Sequence, residues 1–264
     1  MKVNSREELI SMLNKVPEVT LYFWIIKIMA TTVGETAADL LNTKLNLGLT
    51  NTSLVMGALL LAALAGQVRA RKYVPWIYWV SVVLISVVGT LITDNLTDHF
   101  GIPLPLTTAV FAIALAATFA IWYASERTLS IHTIFTTKRE LFYWAAILFT
   151  FALGTAAGDL LAESLKLGYL RSAMIFGAGI GLVALTYYVF KRNAILAFWI
   201  AYILTRPFGA SFGDLLSQPA SNGGLGLGTV GTSAIFLTVI LGLIVYMTIA
   251  QRGGPNVRSG DTSA

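Results

Sequence analysis

The chain has 264 residues, 56% of them hydrophobic and 12% charged, with no cysteine and a formal net charge of +5. A soluble domain carries roughly twice that charge, so a water-soluble fold is excluded. Without cysteine, disulfides, thiolate metal sites and thiol chemistry are excluded too. The basic residues sit in short loops between apolar runs, so the positive balance reports membrane orientation and not a nucleic-acid partner.

Residues 1–18 are polar and mixed in charge, with no apolar run that a cleavable signal would need. They read as a cytoplasmic segment. Eight apolar runs follow, at about 19–41, 53–70, 75–97, 107–124, 141–162, 172–190, 194–216 and 230–250. Each is long enough to cross a hydrocarbon core of about 30 Å as helix. Barrel strands would alternate over about ten residues, so the predicted class is all-α: a polytopic membrane domain over 19–250 with a short tail at 251–264.

Basic residues concentrate before the first run (Lys2, Arg6, Lys15) and after every even one. These are Arg69, Arg71 and Lys72; Arg127, Lys138 and Arg139; Lys191 and Arg192; Arg252 and Arg258. The alternate loops hold only Lys44, Lys166 and Arg171. The positive-inside rule therefore predicts both termini in the cytoplasm.

The odd runs repeat. Trp24, Trp79, Trp144 and Trp199 each precede a glycine by ten positions (Gly34, Gly89, Gly154, Gly209), and an aspartate follows that glycine by five (Asp39, Asp94, Asp159, Asp214). Trp24 to Trp144 and Trp79 to Trp199 are both offsets of 120. The domain thus reads as two halves, each a duplicated hairpin, giving repeats at about 19–72, 75–124, 141–190 and 194–250. All four units enter from one side, so the repeats are parallel. At the interface an amphipathic indole is at home, and anchoring is the simple reading of the four tryptophans. The last connection, SQPASNGGLGLGTVG, is glycine-rich and reads as a flexible outer loop or a re-entrant cap.

The Trp24–Gly34–Asp39 pattern and its three echoes resemble the "repeat of unknown function" family of bacterial integral membrane proteins. That resemblance implies eight transmembrane helices in four two-helix repeats within a bacterial inner membrane. It implies no activity, so function has to be argued from the residues.

In the first run Lys27, Thr31, Glu35 and Asp39 fall four apart and form one slowly winding ladder. The equivalent ladders are Val82, Ser86, Thr90, Asp94; Ile147, Phe151, Thr155, Asp159; and Tyr202, Arg206, Ala210, Asp214. Ionisable groups at bilayer depth are costly and mark function or internal pairing. The proposed cation-binding set is Glu35, Asp39, Asp94, Asp159 and Asp214 with the hydroxyls of Thr31, Thr90 and Thr155. Glu35, Asp39 and Asp159 are the candidate metal ligands, and Lys27 and Arg206 the charge partners. Carboxylates and hydroxyls suit protons or hard cations such as Mn²⁺, whereas His99 and His132 fall in opposite loops. Pro207 is expected to free a carbonyl near Arg206.

No P-loop, HExxH or G-x-S-x-G motif is present, so neither an enzyme nor a cofactor is expected. The expectation is a secondary transporter of a hard cation, coupled to protons, with lipid and a small cation as partners. Three alternatives stand. One is a passive channel with a pseudo-symmetric pore. Another is a non-transporting scaffold whose buried charges are ion pairs. The last is a carrier of an uncharged solute in a pocket lined by Tyr22, Phe23, Tyr202 and Phe208. Self-association is left open.

Overall fold

The computed structural model describes residues 14–190 and 193–252. Lys2, Arg6, Lys191, Arg192 and Arg258, the start of the N-terminal segment and the tail from 253 lie outside the described residues. Eight long helices follow in order: α1 Leu21–Asp39, α2 Gly48–Arg69, α3 Pro75–Asp94, α4 Leu104–Glu126, α5 Thr137–Asp159, α6 Tyr169–Phe190, α7 Ala194–Ser217 and α8 Gly228–Arg252. Among the described residues there is no strand. Seven of the helices, α2 to α8, are long and apolar enough to cross a membrane. The chain is therefore a multi-pass helical membrane protein. α1 is not among the seven: Lys27, Glu35 and Asp39 stand within its 19 residues.

Local chemistry starts these helices where the loops end. The Thr20 hydroxyl accepts from Phe23 N at 3.4 Å and caps α1; Thr136 accepts from Arg139 N at 3.3 Å and caps α5. Pro75 opens α3, where its missing N–H costs nothing.

The odd helices form a closed ring: α1 packs on α3, α3 on α5, α5 on α7 and α7 on α1. The even helices lie outside it. Each packs mainly on the odd helix of the next repeat: α2 on α3, α4 on α5, α6 on α7, and α8 back on α1. The expected hairpin within each repeat is corrected, because α1 and α2 hardly touch. An even helix fits the groove one unit further round.

Two sets of contacts give the ring its four-fold pattern. At the tryptophan end, the aromatic residue before each tryptophan packs against the next repeat's tryptophan. Phe23 meets Trp79 at 5.6 Å, Tyr78 meets Trp144 at 5.5 Å, Tyr143 meets Trp199 at 6.1 Å and Phe198 meets Trp24 at 5.7 Å between ring centroids. Trp79, Trp144 and Trp199 are buried in this layer, which corrects the interfacial-anchor reading for three of the four. Stacked aromatic pairs contribute about 0.5–1.5 kcal/mol each beyond the area they bury. Deeper in, each glycine of the repeat receives a side chain of the next helix. Ser86 lies over Gly34, Phe151 over Gly89, Arg206 over Gly154 and Thr31 over Gly209, so tightly that a Cβ at any of them would collide. Helix association in lipid relies on such close backbone approach.

The tryptophan end is covered. Asn14, Lys15 and Val16 are buried there, and Lys15 Nζ pairs with Glu140 Oε2 at 2.7 Å and donates to Val68 O at 2.9 Å. At the other end α1, α3 and α5 widen just after their aspartates into π-turns, Leu40–Lys44, Asn95–His99 and Leu160–Ser164. α7 instead runs through Asp214 to Ser217. The glycine-rich stretch then folds back on it: Leu225 N and Leu227 N donate to Leu215 O and Leu216 O at 2.7 and 2.9 Å. It satisfies carbonyls left over at a helix end.

Candidate functional site

Because the odd helices share one register, their ladders stack as layers down the ring axis. From the tryptophan end the layers hold Lys27, Val82, Ile147 and Tyr202; then Thr31, Ser86, Phe151 and Arg206; then Glu35, Thr90, Thr155 and Ala210; and last the four aspartates. The first two layers are fully closed to solvent or within 1% of it.

Arg206 is the centre. It is 0% exposed and its guanidinium reaches every other repeat. Nη1 donates to Thr31 O at 3.1 Å; Nη2 donates to Glu35 Oε2 at 3.0 Å, to Thr155 Oγ1 at 2.7 Å and to Thr90 Oγ1. The Thr90 hydroxyl also lies 3.3 Å from Glu35 Oε2. The fourth repeat makes this possible by breaking the pattern. At the Glu–Thr–Thr level it has only Ala210, and the space is taken by an arginine rising from one turn below. The helix stays continuous through Pro207, and Thr205 O accepts a contact from Thr31 Oγ1 at 3.4 Å.

Glu35, 6% exposed, faces the mouth above it. Asp39, Asp94 and Asp159 are half-buried and Asp214 is 7% exposed. The charge of Glu35 acts on all four aspartates, and that of Arg206 on Asp94 and Asp214. The acid groups thus share one electrostatic neighbourhood. Glu163 and Asp98 extend it toward the rim. No three carboxylate or imidazole groups among the described residues come together as a metal cage, so Glu35, Asp39 and Asp159 are not gathered into one ligand set.

Other expected residues fall as follows. The Thr31 hydroxyl is turned to backbone, 2.5 Å from Ile28 O, and its carbonyl serves the site instead. Lys27 is a correction: among the described residues it pairs with no carboxylate. Eight residues of helix, about 12 Å, separate it from Glu35, which Arg206 already engages. Lys27 Nζ lies instead over two rings, Tyr202 at 4.0 Å and Phe151 at 4.5 Å. His99 and His132 are exposed in their loops. Tyr22 and Phe208 do not join Phe23 and Tyr202 in a pocket: Tyr22 is 42% exposed and Phe208 stacks on Phe212 along α7.

Sequence reasoning missed Tyr78 and Tyr143, whose hydroxyls meet at 2.5 Å in the tryptophan layer. The signal was present, since each repeat carries Phe or Tyr directly before its tryptophan. It also missed Ala210 as the space that Arg206 needs.

The family model described as "Repeat of Unknown Function (DUF347)" matches four consecutive stretches, residues 22–73, 77–128, 142–193 and 197–253. These coincide with the four units of the ring. No curated protein and no solved structure matches the chain.

Proposed function

The chain belongs to the Repeat of Unknown Function (DUF347) family, a description that carries no activity, and we propose from the site that it is a secondary transporter exchanging a small hard cation for protons. In this reading all eight helices span a bacterial inner membrane. Both termini are cytoplasmic, and the aspartate end faces out. The observation that carries the reading is the Glu35–Arg206 pair, buried at the ring centre and touching all four repeats.

The chemistry follows from what each group can exchange. The four aspartates draw cations to the mouth by their combined field. An arriving proton or cation competes with Arg206 for Glu35. When Glu35 is neutralised, Arg206 still has Thr31 O and the hydroxyls of Thr90 and Thr155 as acceptors. The guanidinium therefore loses its counter-charge but keeps three acceptors, which lessens the cost of breaking a buried pair. The ring halves then rock about this fixed pair, as expected for parallel repeats.

The test is transport by purified protein in proteoliposomes, with Mn²⁺ as the first divalent cation. Glu35→Gln and Asp159→Asn are expected to fold and to lose uptake. Folded variants that move cation at the wild-type rate defeat the proposal. Steady single-channel currents in a planar bilayer would instead favour a pore.

A non-transporting scaffold is the second reading. It is favoured by the spread of the Arg206 Nη contacts over three other helices, which suits a permanent internal tie. A double Glu35→Leu, Arg206→Met variant that retains full biological activity would support it.

A further inference from the structure

Within the ring the first half of the chain meets the second along two seams, α3 on α5 and α7 on α1. At the tryptophan end the two seams are built differently. α7 meets α1 there through rings: Phe198 lies 5.7 Å from Trp24 and 6.0 Å from Phe23 between centroids. α3 meets α5 through hydroxyls, with Tyr78 and Tyr143 sharing a hydrogen bond of 2.5 Å. About one turn further out, Glu140 stands in the first turn of α5 and is 1% exposed. The other half takes both of its oxygens. Lys15 Nζ holds Oε2 at 2.7 Å and Gln67 Nε2, from the last turn of α2, holds Oε1 at 3.2 Å.

The segment before α1 is laced into this second seam. Lys15 Nζ also donates to Val68 O at 2.9 Å, and Gln67 Nε2 to Lys15 O at 3.3 Å. Lys15 N donates to Ile134 O at 3.0 Å in the loop entering α5, and Tyr73 N to Asn14 O at 3.2 Å in the loop leaving α2. Asn14, Lys15 and Val16 thus bridge the end of α2 and the start of α5. A permanent plug is better made of apolar packing, since a buried ion pair adds little over well-packed hydrophobic residues of the same volume. The polar form has one advantage: water takes over each charge once the pair parts. Asn14 Oδ1 and Gln67 Oε1 are buried there without hydrogen-bond partners among the described residues, so the closed form already leaves two acceptors that water would satisfy.

We propose that Asn14–Val16 is the inner gate of the transporter, latched by Lys15, Gln67 and Glu140, and that the tryptophan end opens by parting the α3–α5 seam. It rests on the transport reading above and gives the Glu35–Arg206 site its second route of access. Opening breaks the two bonds to Glu140 and the one from Lys15 N to Ile134 O. The segment leaves with the end of α2, to which Val68, Gln67 and Tyr73 still hold it, and Glu140 leaves with α5. The Tyr78–Tyr143 contact beneath parts next, and water reaches Val82 and Ile147, both 0% exposed in the closed form. The α7–α1 seam serves as the hinge, because stacked rings can tilt and stay in contact whereas a directional hydrogen bond is lost. Latched, the gate seals this end while the aspartate mouth is open, which alternating access requires.

The chain has no cysteine, so introduced thiols report without background. The full chain carrying Lys15→Cys and Glu140→Cys is reconstituted in phosphatidylethanolamine–phosphatidylglycerol vesicles and bridged with a bifunctional methanethiosulfonate that dithiothreitol removes. Bridging is expected to lower Mn²⁺ uptake by about tenfold or more, and reduction to restore it. A contact that only holds the fold together would be indifferent to being bridged. Uptake unchanged by the bridge overturns the gate and leaves the transport reading standing, whereas wild-type vesicles that take up no Mn²⁺ overturn both. A second arm labels Ile147→Cys with a charged methanethiosulfonate from the tryptophan end. Lys15→Met is expected to speed this labelling by about tenfold, the factor that one charged hydrogen bond of the closed form carries. Lys138→Met, whose side chain is 62% exposed beside Glu126 at the start of the same helix, should leave it unchanged. Gln67→Met supplies the same test if Lys15→Met unfolds, and labelling at the wild-type rate in the latch variants overturns the gate.

Discussion

Replacing Arg206 with methionine is the most direct perturbation of the ring. The arginine is 0% exposed and donates to Thr31 O, Glu35, Thr90 and Thr155. Its loss leaves the Glu35 carboxylate with the Thr90 hydroxyl, 3.3 Å away, as its neighbour in the ring. Breaking a buried pair by removing one member costs about 3–5 kcal/mol. Glu35 keeps a slight opening to the mouth, and helices unfolded within a membrane still find partners, so the expected loss is near the lower end, about 3 kcal/mol. Glu35→Leu should cost less, about 2 kcal/mol, because three neutral acceptors remain for the guanidinium. The double variant carries no uncompensated charge and should cost about 3 kcal/mol where additive effects would cost about 5, a coupling energy of about 2 kcal/mol. Reversible unfolding in mixed micelles, run as a full mutant cycle, measures all three. Additive effects, or an Arg206→Met protein as stable as the wild type, would refute the claim that this pair closes the ring.

Gly209→Ala should cost about 2 kcal/mol, because the new Cβ meets Thr31 and its helix backbone, whereas Gly181→Ala, with nothing within 4 Å, should be neutral or slightly stabilising. Unfolding of the two variants side by side checks this. Glu140→Gln removes the carboxylate that holds buried Lys15 and should cost about 2 kcal/mol. Faster proteolysis of the segment before α1 is the accompanying sign. Because the chain has no cysteine, single-cysteine labelling reports orientation directly. In intact cells an impermeant maleimide should modify Asn222→Cys and reach His132→Cys only after permeabilisation; the reverse pattern would invert the assigned topology.

The aspartate ladder, the spans and the four units were legible because one spacing recurs and apolar length is a direct reading of bilayer thickness. Which helix neighbours which was not. The partner of Gly34 is Ser86, a residue with no relation to it along the chain except that both belong to successive copies. Polarity located Glu35 and Arg206, and their opposite charges matched in space as expected. The same argument failed for Lys27, because two aromatic faces can stand where a carboxylate was expected, and ring orientation leaves no trace in spacing. The tryptophans misled for a related reason. Their indoles are as useful stacked on the next copy's Phe or Tyr as at a headgroup, and only the closed ring decides between them.

The return of α8 onto α1, sealed by the Thr36–Ser233 hydroxyl contact at 2.6 Å, bears on biogenesis. α1, which carries Lys27 and Glu35, is made before the other seven helices, yet two of its three neighbours, α7 and α8, are the last of the eight to be made. Until α7 follows, Glu35 lacks its Arg206 partner, and until α8 follows, one flank of α1 stands uncovered. Truncation before α8 would expose that flank to the bilayer. Membrane quality control that recognises stranded polar helices therefore has a natural checkpoint in this protein, passed when α8 docks.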